Sequence, residues 1–263
     1  MDVTVDGKLA HAATGSREGS AGDPAVLLIH GAGMDRTVWQ FQTRNIAHTG
    51  HRAYAVDLPG HGYSEGPALA TVAEMADWVA RFMDAAGIDK ATLVGHSMGS
   101  LIALEVAARH PEKAERLVLT GVAEAMPVHP DLLAAAAANE DLGPELITFW
   151  GLGAEAQQGG HPLPGLWVQG ACEILLKNSK AGVLGSDLAA CNDYGSAVET
   201  AAAVQCPAVF VLGRDDKMTP AKSGQALARR IDGAAVHLIG HAGHMMMAER
   251  PNEFHAALRG VIF

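Results

Sequence analysis

Four short stretches of this chain carry groups that could act together on a carbonyl carbon. The first is Gly95-His96-Ser97-Met98-Gly99, which directly follows the apolar run Ala91 to Val94 and opens helix-prone sequence. A serine hydroxyl is a poor nucleophile until a base takes its proton. A sharp strand-to-helix turn would push Ser97 out at the edge of a sheet, and small residues two before and two after it avoid clashes. In a chain with 30 glycines the bare GxSxG pattern is weak, and its position between strand and helix is what gives it weight. The helix starting there would also aim its first N–H groups at developing negative charge.

Thirteen histidines compete to be the base. His244 lies in Gly240-His241-Ala242-Gly243-His244, just after the last apolar run, on a loop that leaves the carboxyl end of the sheet as Ser97 does. His241 shares the loop and is its rival. His110, His129 and His161 read as solvated surface groups. An orienting acid should leave the same edge, and the run Ala208 to Leu212 leads into Arg214-Asp215-Asp216-Lys217. Adjacent residues point in different directions, so only one aspartate can reach an imidazole. The pair could also merely cap the helix that begins at Pro220, and Glu124 is a third candidate acid. The fourth stretch is His30-Gly31-Ala32-Gly33, after Ala25 to Ile29, where small residues would let backbone N–H groups approach a substrate oxygen, or would simply form a tight turn.

These stretches need a frame. Continuous apolar runs at Ala25–Ile29, Ala53–Val56, Ala91–Val94, Leu117–Leu119, Ala208–Leu212 and Val236–Ile239 fit strands buried on both faces of a parallel sheet. Val3–Val5 and Lys8–Ala13, joined by Asp6-Gly7, read as a hairpin. Helical sequence alternates with the runs. Thr71 to Gly87 has a Thr71/Glu74 capping box and apolar residues Val72, Met75, Val79 and Phe82 at helical spacing. Further helices are expected from Ser97 to before His110-Pro111 and from Pro220 to Arg230. The alternation predicts an α/β, doubly wound, mostly parallel sheet. From about 123 to 203 no strand is visible, only helix-prone pieces such as Leu132–Ala138 and Leu166–Lys177, so a helical insertion is expected there.

Composition excludes several classes. Hydrophobic residues are 49% and charged residues 18%, which suits a large core rather than disorder. Nineteen basic against 29 acidic residues give a formal charge of −10, which repels phosphate backbones and argues against a nucleic-acid partner. Cys172, Cys191 and Cys206 form no CxxC pair and read as reduced thiols of a cytoplasmic protein. The first residues show no basic-then-apolar leader, and no run is long enough to span a bilayer, so no membrane association is expected. His241 and His244 lack a carboxylate placed to complete a metal site, and no nucleotide-binding fingerprint occurs; neither metal nor cofactor is expected.

Taken together the motifs resemble the α/β-hydrolase fold family over nearly the whole chain. HGAG is similar to the family's oxyanion loop, Asp57 to Ser64 (DLPGHGYS) to the turn after its next strand, and GHSMG to its nucleophile elbow. GRDDKMTP is similar to its acid turn and GHAGHMMMAERP to its histidine loop. The resemblance implies Ser97 as nucleophile, Asp216 rather than Asp215 as acid, and His244 as base. It implies the backbone N–H groups of Ala32 and Met98 as oxyanion donors. It further implies a core of residues 1–122 and 204–263 under a helical cap of residues 123–203. HGAG stands where many lipases and esterases have HGGG, which points away from bulky acyl groups. Serine at the elbow argues against epoxide hydrolase and dehalogenase chemistry, whose members place aspartate there.

The expected reaction is hydrolysis of a small or medium, fairly apolar carboxylic ester or lactone through an acyl-enzyme. Trp39, Phe149, Trp150 and Trp167 are candidate pocket residues. Two alternatives stand beside it: carbon–carbon hydrolysis of a β-diketone-like ring-fission product, and a slow-turnover ligand receptor on the same fold.

Overall fold

The continuous apolar runs do become buried parallel strands in the computed structural model, which describes residues 1–17, 19–20 and 22–262. In chain order the strands are β1 (Asp2–Val5), β2 (Lys8–Ala13), β3 (Ala25–Ile29), β4 (Arg52–Val56), β5 (Ala91–His96), β6 (Ala114–Thr120), β7 (Ala208–Gly213) and β8 (Ala235–Ile239). They form one sheet in the order β1-β2-β4-β3-β5-β6-β7-β8. The β1/β2 and β2/β4 pairings are antiparallel and the others parallel. Every residue of β3 and β5 is buried, as expected for central strands covered on both faces. The run at Val236–Ile239 departs from the expectation of two covered faces. β8 is the edge strand, so only one side is paired, and Ala235, Val236 and His237 are exposed.

Helices cover both faces. These are α1 (Gln40–Ala47), α2 (Val72–Ala85), α3 (Met98–Arg109), α10 (Ala221–Ala228), α11 (Met246–Glu249) and α12 (Pro251–Ile262). α3 follows β5 directly and is buried on nearly all sides from Met98 to Ala107, so it fixes the central strand from behind. α2 buries Val72, Met75, Val79 and Phe82 along one face. Its start is the anticipated capping box: Glu74 N–H donates to Thr71 Oγ1 at 3.2 Å, and Thr71 N–H donates to Glu74 Oε2 at 3.1 Å.

Between β6 and β7 the described residues hold helices and no strand: α4 (Pro130–Ala137), α5 (Leu142–Gly151), α6 (Ala154–Gln157), α7 (Val168–Lys177), α8 (Val183–Asp193) and α9 (Ala197–Ala202). Parallel register brings Ile29 beside Gly95, and Gly213 beside Ile239. The loops after β3, β5, β7 and β8 therefore leave the same edge of the sheet, where ligands of open α/β sheets bind. Among the described residues no helix is long and apolar enough to cross a membrane.

The Thr71→Ala variant removes the hydroxyl that takes an N3 donor, so its unfolding free energy in urea should fall by about 1 kcal/mol with an unchanged m-value. No change in the midpoint would mean that this cap contributes nothing.

Candidate active site

Crowding at the end of β5 explains the sequence there. Ser97 sits at φ 54°, ψ −118°, a region that side chains rarely occupy. Its N–H donates to Thr120 O on the neighbouring strand at 2.8 Å. The turn is so tight that a Cβ at Gly95 would stand 2.2 Å from Gly99 O, and one at Gly99 would stand 2.2 Å from Ile29 O. Ser100 braces the turn from inside. Its Oγ accepts from Thr120 N–H at 2.9 Å and lies 2.8 Å from Gly95 O. The Ser97 side chain makes no capping hydrogen bond to its own helix, so the hydroxyl is not spent on the helix start.

His244 is held on three sides. Its Nδ1 is 2.8 Å from Asp216 Oδ2, its backbone N–H donates to Gly151 O at 2.6 Å, and its carbonyl accepts from His96 Nε2 at 3.0 Å. Its Nε2 is buried and makes no hydrogen bond among the described residues. Asp216 is fixed in turn: its Oδ1 accepts from the N–H groups of Met218 and Thr219 at 2.9 and 2.8 Å, and its Oδ2 from Thr219 Oγ1 at 2.8 Å. Burial alone would raise this carboxyl. The charge and hydrogen bond of His244, with the donors from Thr219, outweigh it and hold the group below the ordinary range. Behind the loop, Glu249 accepts from Gly243 N–H at 2.9 Å and from Gly153 N–H at 2.8 Å. Burial pushes its carboxyl up to about 7, against the backbone donors that favour the ionised form.

Ser97 and His244 open into one cavity of about 380 Å³, with Ala32 on its wall. The rest of the wall is mostly apolar and includes Met126, Val128, Leu132, Trp150, Leu188 and Met218, while His129 and Lys217 also line it. Among the described residues, no hydrogen bond takes the N–H of Ala32 or of Met98, although both residues are buried. The alternatives lie elsewhere. Asp215 is exposed with its N–H on Ala242 O, Glu124 pairs with Arg230 at the surface, and His241 is exposed beside Glu155 at 3.5 Å.

The structure corrects three of the four candidate pocket aromatics. Trp39 is a core residue, tilted against Phe254 at 6.2 Å and edge-on to His96 at 6.4 Å. Phe149 is 60% exposed: it precedes Trp150 on α5, and consecutive helical residues are about 100° apart, so one ring faces the cavity and the other solvent. Trp167 is 65% exposed and lies over the first turn of its own helix, where a Cβ at Gly170 would come 2.3 Å from its ring. His129 is not merely a surface group, since it lines the cavity beside Trp150 at 5.3 Å between ring centres. His110 and His161 are half-buried, bonded to Asp77 and to Ala248 O, each at 2.8 Å.

Two buried histidines, His30 and His61, stand beside the Ala32 turn, and the sequence motifs assigned neither of them a role. The His30 ring meets one acceptor, Gly31 O at 2.9 Å from Nδ1, and one donor, the Leu58 N–H at 3.1 Å from Nε2. That environment fits only the neutral ring, and burial together with nearby His61 lowers its pKa to about 3. His61 meets two acceptors, Pro59 O at 3.0 Å and Asp187 Oδ2 at 2.8 Å, so both its nitrogens carry protons. Burial opposes that charge, but Asp187 more than compensates and raises its pKa. His61 stands within the quoted DLPGHGYS motif. Asp187 sits in helix-prone sequence that carried no signal.

Comparison with known proteins agrees with the fold. A family model described as alpha/beta hydrolase fold matches residues 24–251. The chain is 31% identical over 252 residues to the dihydrolipoyllysine-residue acetyltransferase component of the acetoin cleaving system of Cupriavidus necator, covering 90% of this chain but only 63% of that protein. It is 29% identical over 248 residues to 2-hydroxymuconate semialdehyde hydrolase of Pseudomonas sp., covering 92% of this chain and 87% of the other. Among solved structures, the enol-lactonase of Burkholderia xenovorans superposes with a TM-score of 0.88 at 23% identity, covering 99% and 98% of the two chains.

Two outcomes follow from this geometry. Gly99→Ala should cost about 3 kcal/mol or more, because the added methyl meets backbone that cannot rotate away; a soluble variant with the parent's urea midpoint contradicts the packing. His30, whose folded pKa lies below its ordinary 6.5, contributes stability that is present above that value and lost as pH falls toward about 3. Between pH 6.5 and 5 the parent should therefore lose stability more steeply than His30→Asn, by about 1 kcal/mol per pH unit. Parallel slopes would show that His30 does not stay neutral in the fold.

Proposed function

Because the chain belongs to the alpha/beta hydrolase fold family, we propose that it is a serine hydrolase that cleaves a small or medium carboxylic ester or lactone through an acyl-enzyme. The observation that carries this reading is the state of His244: Nδ1 bound to a buried carboxylate, Nε2 uncommitted, in the cavity that Ser97 also lines. With Nδ1–H directed at Asp216, the lone pair of Nε2 is left free to take a proton. Rotation of the Ser97 hydroxyl toward Nε2 makes it a nucleophile. It attacks the substrate carbonyl, and the oxyanion that forms is held by the N–H groups of Ala32 and Met98. The imidazolium, stabilised by Asp216, returns its proton to the leaving alcohol. Water then enters, loses a proton to His244, and releases the acid.

The helical segment of residues 123–203 acts as the cap in this reading, because it supplies Leu132, Trp150 and Leu188 to the cavity wall. An apolar wall of this volume suits an uncharged acyl chain of modest length. Hydrolysis of a carbon–carbon bond beside a ketone is the second reading, favoured by the likeness to 2-hydroxymuconate semialdehyde hydrolase. The two share the serine and its base and differ in the leaving group, which is an alkoxide in one case and a carbanion in the other.

Ser97→Ala should abolish covalent labelling by a fluorophosphonate and lower turnover of p-nitrophenyl acetate by several orders of magnitude; full labelling of the variant ends the assignment. Asp216→Asn should lower kcat by about 10³–10⁴-fold while Asp215→Asn changes it less than about twofold. Equal losses would remove Asp216 from its role. Faster turnover of a vinylogous diketone than of the ester would select the second reading.

A further inference from the structure

The loop that bears Ala32 is not held by the sheet alone. Its turn is closed by Met34 N–H on Gly31 O at 3.2 Å, and the next donor, Gly33 N–H, is taken at 2.8 Å by Asp187 Oδ2 from helix α8. The same oxygen accepts from His61 Nε2 at 2.8 Å, and the carboxylate is completely buried. α8 lies so close to the loop that a Cβ at Gly33 would stand 2.5 Å from Leu184 Cδ1. Asp187 Oδ1 has no hydrogen-bond partner among the described residues. A buried carboxylate is costly unless a charge meets it. Here the charge is the His61 imidazolium, fixed by Pro59 O on its other nitrogen.

We propose that Asp187 is a positioning residue for catalysis: from the helical insertion it anchors the Ala32-Gly33 turn through Gly33 N–H, and so sets where the Ala32 N–H meets the oxyanion. The proposal rests on the serine hydrolase reading above. Gly33 N–H is committed to Asp187, which leaves Ala32 N–H as the uncommitted donor of the turn. A donor displaced by a fraction of an ångström stabilises the transition state less while leaving ground-state binding nearly unchanged. The same contact couples the oxyanion loop to the seating of α8, whose Leu188 and Cys191 line the cavity. The loop is therefore ordered for catalysis only when the insertion is seated. A purely structural clamp would cost stability without touching the turnover of molecules that remain folded.

The test compares the parent with Asp187→Ala and Asp187→Asn on p-nitrophenyl acetate, with active sites titrated by a fluorophosphonate and folding followed by Tm. Asp187→Ala should lower kcat per titrated site by about 10–100-fold, short of the ~10²–10³-fold loss on deleting an oxyanion donor, with KM within about threefold. Asp187→Asn can still accept from Gly33 N–H but cannot pair with the imidazolium, so its kcat should fall between the other two. If Asp187→Ala does not fold, a reproducible loss of kcat at constant KM in Asp187→Asn carries the proposal, and its absence overturns it. Parent-like kcat in folded Asp187→Ala overturns the positioning role alone. A parent enzyme that the fluorophosphonate does not label at Ser97 overturns the hydrolase reading and this proposal together.

Discussion

At the end of β5 the chain must turn into α3 within the space that Ile29 and Gly99 leave to each other. A methyl at Gly95 or Gly99 would overlap backbone oxygens at 2.2 Å, so the turn exists only because both positions are bare. The backbone accepts an unfavourable φ of 54° at Ser97, held there by Thr120 O and by the Ser100 brace. Strain of this kind persists only where its surroundings over-determine it. Here they are the central strands and a helix buried nearly all round. The consequence is a hydroxyl presented into a cavity, beside a helix start whose Met98 N–H has no partner among the described residues. The other site groups are arranged around that fixed point, on loops leaving the same edge of the sheet.

Three buried imidazoles near this point differ in what their partners demand. His30 faces a donor and an acceptor and stays neutral. His61 faces two acceptors, one of them a carboxylate, and carries charge. His244 faces a carboxylate at one nitrogen only and leaves the other uncommitted. Identical side chains thus take different protonation states because the fold assigns each a different set of donors and acceptors. His96 adds a fourth arrangement, donating from Nε2 to the carbonyl of His244 while burial depresses its pKa.

Much of this frame was legible in the residues because it is written in local chemistry. Apolar runs mark the strands by length and continuity, and Thr71 with Glu74 marks a helix start. Gly95 and Gly99 mark a close approach. The order of Ser97, Asp216 and His244 along the chain carries through to a single sheet edge. What was not legible depends on contacts between distant segments. Whether β8 is covered on one side or two depends on what lies beyond it. Trp39 and Trp167 are large rings in plausible places, yet one is core and the other lies on its own helix. Asp187 and His61 are 126 residues apart, and nothing local to either announces the other. Glu249 likewise joins Gly243 to Gly153, which are far apart in sequence and adjacent in space.

The proposed reaction requires Ser97 and the unclaimed N–H groups of Ala32 and Met98 to converge on one carbonyl, with His244 Nε2 at the departing group. A crystal structure of the parent protein with a trapped alkyl phosphonate tests that convergence directly. The expected adduct has phosphorus bonded to Ser97 Oγ, a phosphoryl oxygen within hydrogen-bonding distance of both N–H groups, and the alkyl group against Leu132, Trp150 and Leu188. An adduct on any other side chain, or a phosphoryl oxygen turned away from both N–H groups, would contradict it.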